Sequence, residues 1–178
     1  LPQAKADMAE VKAFAKDNLG IADPQSWDLP YASEKLREAR YAYSDQEVKQ
    51  YFTLPAVFNG LFGLVQTLFN IRIVKDNAPV WHPDVQFFRI ENDQGEKIAQ
   101  FYVDLYARPN KRGGAWMDND RTRNRLYGSL QTPVAYLVCN FAKPVGDKPA
   151  LLTHDDVLTL FHEFGHGLHH MLSRIEEP

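Results

Sequence analysis

Through the first 75 residues apolar positions recur every three or four residues; after Val80 they alternate every second residue. Val11, Phe14, Ala15 and Leu19 keep a helical spacing until Gly20 and Pro24 break it. "YASEKLREARYAY" (31–43) predicts a second helix. Ser44 and Glu47 have the spacing of a capping box and predict a short third helix from Asp45 to Phe52. Pro55, at a first-turn position, opens a fourth, with Val57, Phe58, Leu61, Leu64, Val65 and Leu68 on one side. Residues 1–75 are therefore expected to be helical.

"VQFFRIE" (85–91) and "IAQFYVDLYA" (98–107) are rich in aromatic and β-branched residues and are separated by "NDQGEK", a turn signal, so a β-hairpin is predicted. "KRGGAWMDNDRTRNRLYGS" (111–129) is polar and glycine-containing and predicts a surface loop. "PVAYLVCNF" (133–141) predicts a third strand, with Pro133 suiting an edge or a strand start. Hairpin, loop and strand thus occupy 80–142. A turn through Pro144, Gly146 and Pro149 leads to a final helix over 153–177. The expected class is α+β: mainly α with a small β-sheet.

That last helix has strong end signals. Thr153 is placed as N-cap, Asp155 and Asp156 follow in the first turn, and Leu152 and Val157 have the spacing of a hydrophobic staple. At 100° per residue, Val157, Leu160, Phe161, Phe164, Leu168, Met171, Leu172 and Ile175 point one way. His162, His166, His169 and His170 point the other. Four of the six histidines in 178 residues lie on this one face.

Composition narrows the setting. The chain is 44% hydrophobic and 24% charged with a formal net charge of -3, values of an ordinary globular protein without a basic patch to suggest nucleic acid. Asn59, Gln66, Asn70 and Arg72 interrupt the most apolar stretch, so a buried helix is expected there and no membrane span. Cys139 is the single cysteine, which fits a reducing compartment, and its apolar neighbours predict an inert buried thiol. The chain begins at Leu1 and stops at Pro178, just after the histidine helix, which predicts a portion of a longer protein, incomplete at both ends.

"HEFGH" (162–166) places two imidazoles four residues apart, within reach of one Zn²⁺. Glu163, beside the metal, is then the base that takes a proton from the metal's water. His166 and His170 repeat the spacing, but Gly167 follows His166 and offers no base, so the first pair is the catalytic one. His169 and His170 are expected in supporting or surface roles. Gly165 and Gly167, costly inside a helix, predict close approach by another backbone. A catalytic zinc keeps three protein ligands and an open position. Position 172, where a third histidine six residues on would stand, is leucine, and in a continuing helix Glu176 is about 15 Å from His166 along the axis. The third ligand is therefore expected beyond Pro178.

"FHEFGHGLHHML", with "YFTLPAVFNGLFGLVQTLF", "VWHPDVQFFRI", "FYVDLYARPNKRGGAWM" and "KPALLTHDDVLTLFHEFGH", resembles the M3 zinc metallopeptidases, thimet oligopeptidase and its relatives, and the likeness runs over most of the chain. The resemblance implies a cytosolic, mostly helical zincin-type peptidase whose deep channel admits short peptides. It implies His162 and His166 as zinc ligands, Glu163 as base, and a third ligand, a glutamate, on the following helix in the missing C-terminal part. The strand 133–141, through Val138, Cys139 and Asn140, is the candidate to hold a peptide by main-chain hydrogen bonds. Endopeptidase action on short peptides is the expected activity. The alternatives are a dipeptidyl carboxypeptidase of the same family and a non-catalytic metal-binding fragment.

Overall fold

The computed structural model describes residues 1–42, 45–144, 146 and 149–177, and the chain divides into two compact units, Leu1–Val48 and Lys49–Pro178. In the first unit, helix α1 (Pro2–Leu19) begins on a proline and ends at Gly20, whose φ of 71° takes the left-handed conformation that only glycine adopts without cost. Helix α2 spans Leu29–Tyr41, starting two residues before the predicted boundary, with Pro30 in its first turn. Ala15 and Ala32 are fully buried, small side chains that let the two helices approach, and Arg40 of α2 pairs with Glu10 of α1. Ser44, the predicted cap of the third helix, lies outside the described residues. Helix α3 runs Asp45–Lys49 and stops short of Phe52, whose N–H closes a turn on the Lys49 carbonyl (3.1 Å).

The second unit is a sheet covered on one face by two helices. Helix α4 (Leu54–Phe69) is capped by Thr53, which accepts from the Ala56 N–H, with Pro55 in the first turn. Val57, Leu61 and Val65 are buried, as the spacing predicts, and so is Leu54, but Leu64 and Leu68 are exposed. The packed stripe is rotated toward Phe58 and Phe62, which stack on each other and meet Phe88 edge-on.

Five strands form the sheet where sequence pattern predicts three: β1 (Arg72–Lys75), β2 (Gln86–Glu91), β3 (Lys97–Tyr106), β4 (Trp116–Arg121) and β5 (Val134–Phe141), in the order β1-β2-β3-β5-β4. The β2–β3 hairpin is as predicted. β1 corrects the expectation of helix to residue 75; it pairs antiparallel with β2 at the sheet edge. β4 corrects the expected surface loop, and a short 3₁₀ turn (Leu126–Gly128) follows it. β5 is not an edge: it runs parallel to β3 on one side and antiparallel to β4 on the other, and Pro133 stands at its start. The edge strand beside β5 is β4, and β1 forms the other edge of the sheet. No described helix is long and apolar enough to cross a membrane.

On the covered face, Phe101 of β3 packs edge-on against Phe164 of the last helix, α5 (His154–Leu172), with ring centres 5.5 Å apart. Thr153 caps α5 with a full capping box: its hydroxyl accepts from the Asp156 N–H (3.0 Å), and Asp156 accepts from the Thr153 N–H (2.8 Å). The helix ends at Leu172, five residues before the predicted limit, and the chain runs on without regular secondary structure through residue 177. Its buried side chains are Leu160, Glu163, Phe164 and Met171, with Gly167 between, whereas Phe161 and Ile175 are exposed. The core-facing stripe is thus centred nearer Glu163 than apolar pattern alone implies.

Gly167 is the point of closest approach between α5 and the sheet. A Cβ there would sit 3.0 Å from Cδ2 of Leu137, a side chain rather than the backbone predicted, while one on Gly165 meets nothing within 4 Å. Leu137 is itself only 1% exposed and has little room to move. Gly167→Ala is therefore expected to destabilise by about 1–3 kcal/mol through overpacking. Gly165→Ala should be neutral or stabilise by up to ~1 kcal/mol through helix propensity. Thermal denaturation of both variants checks this; equal melting temperatures would contradict the packing.

The opposite face of the sheet carries Trp81, Tyr102, Tyr136 and the buried Asp104. Burial alone pushes the Asp104 carboxyl up, but hydrogen bonds from Arg108, Lys111 and Trp81 outweigh it and bring its pKa to about 2. Lys111 also donates to the carbonyls of Tyr106 and Cys139. This buried anion ties down the loop that delivers the chain into β4.

Candidate metal centre

α5 crosses β5, β4 and β3, and between its polar side and β4 lies an open cleft of about 760 Å³. Ala115, Trp116 and Met117 line it from the sheet; Glu163, His166, His169 and His170 line it from the helix. Cap, helix period and the apolar anchors Leu160, Phe164 and Met171 fix which way these groups face. Glu163 is 8% exposed, held where the helix turns from core to cleft.

His162 and His166 are brought together. Their Nε2 atoms are 3.1 Å apart and their rings nearly perpendicular, at 85°. Two nitrogens bound at 2.0–2.1 Å to one tetrahedral ion stand roughly 3.3 Å apart. An imidazole–imidazole hydrogen bond accounts for the distance equally well; the second use needs only a small opening of the pair. With Glu163 one residue on, the donors suit a borderline divalent ion such as zinc. Among the described residues no third histidine, cysteine or carboxylate joins them.

His170 is otherwise engaged. Its Nε2 lies 3.1 Å from the Arg121 carbonyl, which only accepts, so this nitrogen carries the proton and ties α5 to the end of β4. His169 is exposed in the cleft wall. Glu176 is held outside the histidine cluster: Arg125 Nε donates to one carboxylate oxygen (2.6 Å) and Arg123 Nη2 to the other (2.7 Å). Arg125 and then Arg123 hold its pKa down at about 2.

The peptide-holding strand is corrected by the topology. Val138 is paired on both flanks, with Asp104 of β3 and Trp116 of β4, so it has no free edge to offer. Cys139 is fully buried, its carbonyl occupied by Lys111, and burial, with the Glu163 charge behind it, raises its thiol pKa to about 12, as expected of an inert cysteine. Asn140 donates to the Arg112 and Gly114 carbonyls (2.8 and 2.7 Å) and steadies the turn into β4. None of the three lines the cleft. What sequence reasoning missed is β4 itself, whose trace was the apolar "AWM" inside a polar segment, together with the arginines of "TRNR".

Two imidazoles whose Nε2 atoms meet and a neighbouring carboxylate thus stand on one capped helix, beside the outer edge of β4. The sequence profile of peptidase family M3 matches residues 1–178, and the chain belongs to that family. It is 51% identical over 177 residues to oligopeptidase A of Escherichia coli (strain K12), covering 98% of this chain and 26% of that protein. A probable cytosolic oligopeptidase A of Arabidopsis thaliana is 46% identical over 184 residues, covering 98% and 26%. The dipeptidyl carboxypeptidase of Escherichia coli is 40% identical over 174 residues, covering 97% and 25%. The chain spans about a quarter of the length of these relatives.

Proposed function

We propose that this chain is the metal-binding quarter of a zinc-dependent oligopeptidase of the cytosol that cleaves short peptides internally. The observation that carries the reading is the convergence of the His162 and His166 Nε2 atoms on the helix that also carries Glu163, at the wall of a cleft bordered by the edge strand β4. His162 and His166 are the residues that hold zinc. A carboxylate outside these 178 residues completes the set, since no described group does. When bound, zinc supplies Lewis-acid polarisation of the scissile carbonyl and a water with pKa lowered to about 7.

The rest falls to the chain's own residues. Glu163 accepts the proton of the attacking water and returns it to the leaving amine. The outer edge of β4, at Trp116 and Met117, takes the place assigned from sequence to β5: its main-chain groups accept the peptide as an added strand. The phenylalanine core behind α5 keeps helix and edge in fixed relation, which positioning demands, because a shift of about 1 Å can cost 10²-fold in rate.

Oligopeptidase action is favoured over dipeptidyl carboxypeptidase action by the higher identity to oligopeptidase A. Incubating the full-length protein with peptides blocked at the C-terminus separates the two. Internal cleavage that survives the block and stops with a chelator is expected; release of C-terminal dipeptides alone, abolished by the block, would overturn the endopeptidase reading. Zinc uptake without any cleavage would leave only a metal-binding protein.

The 178 residues by themselves are expected to show no efficient hydrolysis. Two imidazoles without a third protein ligand leave zinc weakly held, and each missing ligand lowers affinity further. Purified fragment, loaded with zinc and incubated with short peptides under mass spectrometry, checks this. Chelator-sensitive cleavage at the rate of the full-length protein would contradict it.

A further inference from the structure

Beyond its last turn, α5 leads into the irregular segment 173–177, of which Ser173, Ile175 and Glu177 line the same cleft as Glu163 and His166. Glu176, between two of those lining residues, points instead to the β4–β5 connection. Arg123 Nη2 donates to its Oε1 at 2.7 Å; Arg125 donates through Nε to Oε2 at 2.6 Å and through Nη2 to Oε1 at 3.3 Å. The Arg125 N–H adds a main-chain bond to the Glu176 carbonyl at 3.0 Å. Arg123 also lines the cleft; its side chain is only 12% exposed, and its Nε has no partner among the described residues. A largely covered guanidinium in that state depends on the carboxylate it does have. Six residues earlier, His170 is bonded to the Arg121 carbonyl. Helix end, tail and connection are thus joined at three successive points along one wall of the cleft.

We propose that Glu176, clamped by Arg123 and Arg125, is a positioning residue that fixes the course of the chain leaving α5, and so sets both the end wall of the cleft and the direction from which the remaining metal ligand arrives. This rests on the functional reading above. The carboxylate is two-coordinate to arginine through both oxygens and anchored by its own carbonyl, so the tail is held in direction as well as in place. Surface ion pairs in general contribute little. This one differs in that one cation, Arg123, is largely covered and the backbone shares in the contact. Its effect is therefore on geometry at the metal, where outer partners cost about 10–100-fold in affinity or activity when removed.

The test uses the full-length protein with Glu176→Ala, Glu176→Gln and Arg125→Ala, none of which touches the histidine pair or Glu163. Zinc release into excess chelator, the split between KM and kcat, and thermal unfolding are measured for each. Glu176→Ala and Arg125→Ala are expected to release zinc at least about 10-fold faster and to raise KM. Glu176→Gln, which keeps an acceptor for Arg123 and loses the charge, should fall between wild type and alanine. Variants that melt lower but, while folded, release zinc and bind peptide as wild type does would overturn the clamp and leave a stabilising ion pair. A wild-type protein that binds no zinc would overturn the functional reading and this inference together, whereas zinc-loaded, active wild type with unchanged variants overturns the inference alone.

Discussion

Glu163→Gln in the full-length protein is expected to retain zinc and to lose peptide hydrolysis, with turnover lower by about 10²–10⁴-fold, the range of a lost general base. The amide has the size and shape of the carboxylate, so the buried position between α5 and the sheet stays filled. What disappears is the acceptor for the water proton. Glu163 follows His162 by one residue and lines the same cleft as His166. Zinc content by elemental analysis, measured next to turnover, separates this from a lost ligand. Turnover near wild type would remove Glu163 from the mechanism, and zinc loss in step with activity would make it a ligand.

Among the histidines, His162→Ala and His166→Ala are expected to abolish stable zinc binding, and His169→Ala and His170→Ala to weaken it by no more than the roughly 10–100-fold of outer partners. The geometry divides them. The Nε2 atoms of the first two rings meet at 3.1 Å, while His170 is spent on the Arg121 carbonyl and His169 lies in the cleft wall. His170→Ala has a second consequence, since it frees one tie between α5 and β4 and should raise KM. Competition titration against a calibrated chelator ranks the four variants. A His170 variant as poor in zinc as the His162 variant would shift the metal to the other pair.

Much of this site was legible in sequence, and for local reasons. Thr153 and Asp156, the aspartates of the first turn and the 3.6-residue recurrence from Val157 to Met171 all describe one capped helix, and the histidine face follows from its period. "NDQGEK" marked the hairpin because a turn is specified by its own residues. β1 and β4 were hidden for the converse reason. Four residues at the end of the apolar α4 stretch do not alternate long enough to show a period of two. β4 lies at an edge and is mostly exposed, so "WMDNDR" carries no buried face to read. Its pairing is made by β5, which supplies the hydrophobic partner. The parallel match of β3 to β5 joins segments some thirty residues apart with β4 threaded to the outside, an arrangement that no local pattern encodes. Glu176 shows the same limit. A helix extrapolated past Leu172 carries it along the axis, whereas two arginines from another element turn it aside.

The most direct measurement is anomalous diffraction at the zinc edge from crystals of the full-length protein. A single peak is expected about 2.0–2.1 Å from Nε2 of both His162 and His166, with Glu163 close by and outside bonding distance, and a carboxylate oxygen from beyond this chain as third protein ligand. A peak between His166 and His170, or full activity in crystals with no metal at the histidine pair, would contradict the account.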